Sequence, residues 1–189
     1  MNKVLFGIFL VFFKTNTSFL DIGIVYSLTN LIGYIMIFFG LKELERRYEV
    51  ITRAQSVVIL MILHSVTLFL LNATGNSPLE IPIDSYTAIL AAAGLVFVVG
   101  GMFMIFVVIS QLLRVFEHGA GAQFYVRRLN VICAAMMTVF VLAGLSYFLF
   151  QMTPGVAQVW MAVLLLLKVV FIASFYSEMI RHKERLAEQ

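Results

Sequence analysis

One segment constrains the fold of this chain most, residues 157–177, which read AQVWMAVLLLLKVVFIASFYS. These 21 residues contain no Asp, Glu, Pro or Gly and a single charged side chain, Lys168. A helix of this length is roughly 31 Å long, which matches the hydrocarbon core of a bilayer. The segment therefore predicts a transmembrane helix with a lysine near the midplane, where a cation costs about 2.5–3.5 kcal/mol on insertion scales.

The composition of the whole chain indicates a membrane protein. Of the 189 residues, 62% are hydrophobic and 12% are charged, whereas soluble domains have about 45–50% apolar and about 25% charged residues. In water such a chain would expose large apolar patches. Because unpaired backbone groups cannot face lipid, and because the apolar runs are helical rather than alternating, the predicted fold is an all-α integral membrane bundle.

The apolar runs divide the chain into about six helices in a single transmembrane domain, 1–189. We predict five full transmembrane helices plus one short N-terminal membrane helix. The predicted ranges are 2–20, 22–41, 56–71, 87–113, 131–150 and 157–177. The first range has only ten consecutive apolar residues, 4–13. It crosses the bilayer if Lys14 snorkels, and is otherwise a half-span or an interfacial helix.

The basic residues predict the orientation. The connectors 42–55 and 114–130 and the tail 178–189 contain ten Lys and Arg residues, and the alternate loops 72–86 and 151–156 contain none. Since cytoplasmic loops carry the excess of Lys and Arg, these connectors and both termini are expected in the cytoplasm, with the chain in the plasma membrane. The tail is predicted to extend the last helix.

Three polar residues inside the predicted spans are candidates for an intramembrane polar layer: Lys168, His64 and Asn30. No predicted span contains a carboxylate, so neutral groups, water or an anion must compensate the lysine. Helical rise brings all three residues to similar depth. The plainer alternatives are a lysine without a function and a histidine that only hydrogen-bonds between helices. Lys168→Met is expected to be tolerated for folding, because it removes a desolvation cost.

Small residues predict where helices pack closely. Gly23 and Ser27 form a small-xxx-small pair, Gly33 follows on the same helix, and Gly94 and Gly101 interrupt the long run 87–113. Such residues let transmembrane helices approach each other closely. We therefore predict helix contacts at these five positions.

Signatures of enzymes and metal sites are missing from the sequence. It has no His-Glu-x-x-His, no Gly-x-Ser-x-Gly, no Walker loop and no Gly-x-Gly-x-x-Gly. Its one cysteine, Cys133, lies in an apolar run, and no second ligand stands at helical spacing from His64. We expect no catalytic residue, no metal and no cofactor. The basic residues punctuate apolar runs, so no nucleic-acid partner is expected.

A pattern near the N-terminus consists of Asp21, Asn30-Leu-Ile-Gly-Tyr-Ile35, and Gly40-Leu41 followed by Leu44. It resembles the N-terminal region of uncharacterised multi-pass membrane proteins of Gram-positive bacteria. That pattern typically has Pro-Asp where this chain has Thr29-Asn30. The resemblance covers about a quarter of the chain and implies a bacterial plasma membrane, with no established activity.

The leading functional hypothesis is a non-enzymatic plasma-membrane protein that acts through helix–helix contacts, as an accessory subunit, a sensor or an oligomer. Its partners would be the lipid bilayer and another membrane protein or further copies of this chain. Short loops and the small-residue faces favour it. The alternative is a small transporter or channel for an anion or protons that uses Lys168 and His64. An intramembrane enzyme is the least supported hypothesis.

Overall fold

The computed structural model describes residues 2–12, 23–45, 51–81, 87–116, 123–149 and 154–187. Within these residues the regular structure consists of α-helices alone, as the sequence predicts. Six helices are described: α1 (Asn2–Phe12), α2 (Ile24–Glu45), α3 (Ile51–Ala73), α4 (Ala88–Phe116), α5 (Gln123–Leu149) and α6 (Pro154–Ala187).

Five of these helices are long and apolar enough to cross a bilayer. Their spans are Ile24–Leu44, Thr52–Ala73, Ala88–Arg114, Val126–Tyr147 and Gly155–Glu178. At 21 to 27 residues they are roughly 32–41 Å long, enough for a core of about 30 Å. The remaining helix, α1, has 11 residues and is apolar. The chain is thus a multi-pass membrane protein with a short N-terminal helix, and residues 13–20 of the first predicted range lie outside the described residues.

The helices extend beyond the predicted apolar ranges at their charged ends. α3 begins at Ile51 and α5 at Gln123, and α6 continues to Ala187. An apolar run marks where the bilayer ends, whereas a helix continues as long as its backbone hydrogen bonds are made. Arg, Gln, Glu and Lys are good helix formers, so they carry the helix into the water layer. The predicted helical tail is confirmed as far as Ala187.

The helices form a ring in chain order. Each helix packs on the next, and α6 closes the ring by contacting α1. One apolar core contains buried side chains from all six helices. Neighbouring helices run antiparallel, so the described Lys and Arg side chains other than Lys168 gather at one end of the bundle, here called the basic end. They are Lys3, Lys42, Arg53, Arg114, Arg127, Arg128 and Arg181. The described residues at the other end include no Lys or Arg.

Glycines let α1 lie directly against α2. A Cβ at Gly7 would stand 2.5 Å from the carbonyl oxygen of Gly33, and a Cβ at Gly33 would stand 2.9 Å from the carbonyl oxygen of Gly7. At Gly40 a Cβ would stand 2.8 Å from the backbone nitrogen of Val4. Backbone atoms cannot move aside as a flexible side chain can, so a larger residue would push the two helices apart.

A glycine also ends α3. Gly75 has φ of 72°, a left-handed conformation that residues with a Cβ avoid. Its N–H donates to the carbonyl of Asn72 at 3.3 Å, and the N–H of Asn76 donates to the carbonyl of Leu71 at 2.9 Å. This pair of bonds is the Schellman motif, which satisfies carbonyls that a helix end leaves unpaired. The chain therefore leaves α3 abruptly and turns towards α4.

Candidate functional site

Lys168 points into the ring and reaches the end of α1. Its Nζ donates a hydrogen bond to the carbonyl oxygen of Phe12 at 3.1 Å. Phe12 is the last described residue of α1, and the helix dipole favours a cation near the carbonyls on this side of the helix. The same Nζ lies 5.6 Å from the centroid of the Phe12 ring, within cation–π range. Lys168 is therefore a cap for a helix in a different part of the sequence.

This cap lies near the middle of the membrane. Lys168 is the fourteenth of the 24 residues in the span Gly155–Glu178. On α1, Lys3 forms an ion pair with Glu43, and Val11 packs on Gly33. This antiparallel register puts Phe12 at the level of residue 32 or so, close to the centre of the span Ile24–Leu44. A polar group at that depth has little access to water, so the hydrogen bond satisfies both the lysine and the carbonyl inside the protein.

A small cavity lies at the centre of the ring beside Lys168. Its volume is about 50 Å³, and α1, α2, α4, α5 and α6 all contribute to its wall. Lys168, Phe12, Tyr26 and Tyr34 are its polar or aromatic lining on α6, α1 and α2. A space of this size has room for a few water molecules. The lysine thus lines a cavity inside the ring.

Asn30 approaches this cavity through Tyr26. Asn30 is buried, and its side chain hydrogen-bonds that of Tyr26, which lines the cavity. Its Oδ1 is buried without a hydrogen-bond partner among the described residues. A buried acceptor of this kind is ordinarily met by water, for which the cavity has room. Of the predicted layer, Lys168 therefore lines the cavity, whereas Asn30 is connected to it through Tyr26.

His64 lies elsewhere, in a groove between α3 and α4. Its Nε2 lies 3.0 Å from the carbonyl oxygen of Phe97, and the two rings are 4.3 Å apart at their centroids. Gly101 lies directly under the imidazole, so a Cβ there would overlap the ring. The groove has a volume of about 470 Å³ and is lined by α3 and α4 alone. The structure does not bring His64 together with Lys168 and Asn30.

The predicted packing residues of α2 divide into two groups. Ser27 is buried, donates to the carbonyl of Gly23 at 3.3 Å and accepts a hydrogen bond from the Asn72 amide at 3.1 Å, which ties α2 to α3. Gly33 lies against α1, as described above. Gly23 itself is exposed, and a Cβ there would meet nothing within 4 Å. The contact predicted at the pair Gly23 and Ser27 is thus made by the serine.

The two predicted glycines of α4 contact side chains rather than a helix backbone. Gly94 faces Pro78 of the connection between α3 and α4, 2.9 Å from the proline Cβ to a Cβ built on the glycine. Gly101 makes room for His64. Both glycines therefore shape the boundary between α3 and α4.

Two parts of this arrangement were missing from the sequence analysis. The sequence did contain a signal for Gly7, the only glycine of α1, because it is the one small residue among large apolar side chains. The sequence contained no signal for the carbonyl of Phe12, because every residue has the same backbone acceptor. Only the three-dimensional register shows which carbonyl meets Lys168.

The described residues contain no cluster of three or more His, Cys, Asp or Glu side chains that could hold a metal ion. No family model, no curated protein and no solved structure matches the chain significantly. The N-terminal resemblance to membrane proteins of Gram-positive bacteria remains a prediction.

Proposed function

We propose that this chain is a non-enzymatic plasma-membrane protein that acts by docking one transmembrane helix of a partner membrane protein between α3 and α4. The observation that carries the proposal is the groove beside His64. It continues into a second cavity of about 730 Å³ towards the connection after α3, and the two cavities share Thr67 and Phe97. Along α4 the groove runs from Leu90 to Met104, roughly 21 Å, or two-thirds of the hydrocarbon core.

The lining of the groove suits a helix. Its floor contains small residues, among them Ala93, Gly94 and Gly100, and α3 packs less closely on α4 than on α2. In lipid there is no hydrophobic gain from covering apolar surface, so association depends on close packing against small residues and on polar contacts. A rigid helix can pack closely against these small residues, whereas mobile acyl chains cover the groove without such close packing. Thr67 and His64 add polar side chains at its wall.

The concave shape favours a different protein over a second copy. In a two-fold dimer the same surface meets itself, so groove would face groove and leave a void. A protruding helix from another protein fills the groove instead.

Photocrosslinking tests this proposal in native membranes. A photoreactive residue at Val96, which is exposed in the groove, is expected to crosslink to one apolar segment of another membrane protein, identified by mass spectrometry. Gly100→Leu should abolish the crosslink, because a Cβ at Gly100 meets nothing within 4 Å and the leucine fills the groove without disturbing the fold. Gly155→Leu is the matched control, since Gly155 has equally open surroundings away from the groove. Crosslinks to lipid alone, or to a second copy of the chain, would contradict the proposal.

The charge distribution supports placing the basic end, with both termini, in the cytoplasm of a bacterial cell. Seven described Lys and Arg side chains lie at that end, and cytoplasmic segments carry such an excess. A reporter fused to the C-terminus should be active inside the cell, and one inserted after Asn76 should be active outside. The reverse pattern would refute this orientation.

The alternative, a transporter for an anion or protons, is supported by the inward position of Lys168 beside the central cavity. The cavity holds only about 50 Å³, and most of its lining is aromatic or apolar, so transport requires the ring to open. Ion flux into proteoliposomes that disappears in Lys168→Met, but not in Leu166→Met, would favour this function. Absence of flux in the unmodified protein would exclude it.

A further inference from the structure

A polar pocket lies between α5 and α6 at the basic end of the bundle. Its volume is about 260 Å³, and its polar lining consists of Arg128, Ser174, Ser177, Glu178 and Arg181. Small side chains on α6 create the concavity, because serines stand where larger residues would fill the space against α5. The pocket is separate from the α3–α4 groove and from the central cavity.

The pocket lies at the level of the lipid head groups. Arg128 is the third residue of the span Val126–Tyr147, and Glu178 is the last residue of the span Gly155–Glu178. Both spans therefore leave the hydrocarbon region at this point. Basic pockets between transmembrane helices at such a level are suited to anionic lipid head groups.

We propose that this pocket binds the phosphodiester head group of an anionic glycerophospholipid. Guanidinium groups hydrogen-bond phosphate oxygens in pairs, and the two serine hydroxyls are further donors. Two arginines and one glutamate give the pocket a formal charge of +1. That charge matches a phosphodiester with one negative charge and disfavours a phosphomonoester with two.

The buried carboxylate adds selectivity to the site. Glu178 is 3% exposed, although carboxylates are rarely buried. It repels a second negative charge, while the hydroxyl oxygens of Ser174 and Ser177 can accept a hydrogen bond from a hydroxyl group in the head group. A glycerol head group, which carries hydroxyls and no cation, satisfies both conditions. The favoured ligand is therefore a phospholipid with a hydroxylated, uncharged head group beyond the phosphate.

Apolar side chains continue from the pocket towards the membrane centre, which favours a lipid over a free anion. Val131 lies three residues after Arg128 on α5, and Val170 lies four residues before Ser174 on α6, so each shares a helix face with a pocket residue. They are 63% and 45% exposed. Acyl chains attached to a phosphate in the pocket would lie along these valines.

Lipid binding by the purified full-length chain tests the inference. Phosphatidylglycerol and phosphatidylcholine with the same acyl chains are titrated into the protein in mild detergent, and bound lipid is measured by native mass spectrometry. Phosphatidylglycerol is expected to bind at least tenfold more tightly than phosphatidylcholine. Arg128→Gln should weaken the binding of phosphatidylglycerol by about tenfold or more, the usual effect of losing a hydrogen bond between charged groups.

The neighbouring arginine provides the control. Arg127 is exposed, has the same charge and does not line the pocket, so Arg127→Gln should change the affinity less than about twofold. Ser177→Leu, which fills the pocket without changing its charge, should reduce binding as Arg128→Gln does. Equal losses in the two arginine variants would indicate diffuse charge attraction and overturn the proposal. Displacement of the lipid by millimolar inorganic phosphate would also overturn it, because the site would then be one for a free anion.

Discussion

Replacing Lys168 with Met is expected to change two free energies in opposite directions. One is the free energy of inserting α6 into the membrane, and the other is the free energy of closing the ring of helices. In a state with all helices inserted but apart, Lys168 already lies in the bilayer. Closing the ring then adds its hydrogen bond to the Phe12 carbonyl. Met has a similar length and fills irregular space well, so packing is largely retained. Lys168→Met is therefore expected to ease insertion and to weaken ring closure.

The magnitudes follow from these two reference states. A hydrogen bond to a charged donor contributes about 1.5–3 kcal/mol, and Lys168→Met removes this bond between α6 and α1. The expected loss of about 1.5–3 kcal/mol corresponds to about 10- to 150-fold in the equilibrium between closed and separated helices. Removing the cation should make insertion of α6 more favourable by about 2.5–3.5 kcal/mol. The two effects have opposite signs and are measured separately.

Ring stability is measured by detergent unfolding with Trp160 as the probe. It is the only tryptophan of the chain, and it lies on α6 packed against the core. Insertion is measured by fusing residues 154–181 into a reporter of translocon insertion. The control is Leu166→Met, because Leu166 is 67% exposed on the same helix. If Lys168→Met unfolds at the same detergent concentration as the unmodified chain, the capping role is refuted.

Three further substitutions test contacts described above. Gly7→Ala should destabilise the bundle by about 1–3 kcal/mol in the same unfolding assay, because α1 must move away from α2. Gly23→Ala is the control and should have little effect on stability. Equal effects of the two substitutions would contradict the close contact at Gly7. Gly101→Ala should displace the His64 imidazole and destabilise the fold. The double variant with His64→Ala should recover part of this lost stability, because the alanine leaves room for the new methyl group. Additive losses of stability would refute the contact. Ser27→Ala removes the acceptor that α3 uses, with an expected cost of about 0.5–1.5 kcal/mol by unfolding, and an unchanged stability would show that this bond is dispensable.

The fold class could be predicted because the bilayer imposes it. Long apolar runs have one stable backbone conformation in lipid, so five spans follow from length and composition. The extension of α6 was predicted, but the start of α5 at Gln123 did not follow, because helix formers extend a helix past the hydrocarbon core without an apolar signal. Gly33 was identifiable as a packing residue, whereas Gly23 has a similar sequence context and open surroundings. The difference lies in which neighbour the helix face meets.

The predicted polar layer rested on the similar depth of three residues in the membrane. Similar depth alone does not bring residues into contact, because they can lie on different sides of the bundle. Lys168, Asn30 and His64 come to comparable levels, but the order of helices around the ring puts His64 against Phe97 in its own groove. The expectation that Lys168→Met leaves folding intact considered the desolvation of the lysine alone. The Phe12 carbonyl changes that expectation, since removing the cation also removes a hydrogen bond between α6 and α1.

The contact between Lys168 and Phe12 also has a consequence for biogenesis. The two residues are 156 positions apart in the chain, so a ribosome that adds roughly 5–20 residues per second makes the donor about 8–30 s after the acceptor. During this interval the first helix is in the membrane without its cap. The contact between α1 and α6 thus forms only after α6 has been synthesised, so a nascent chain released before α6 cannot close the ring.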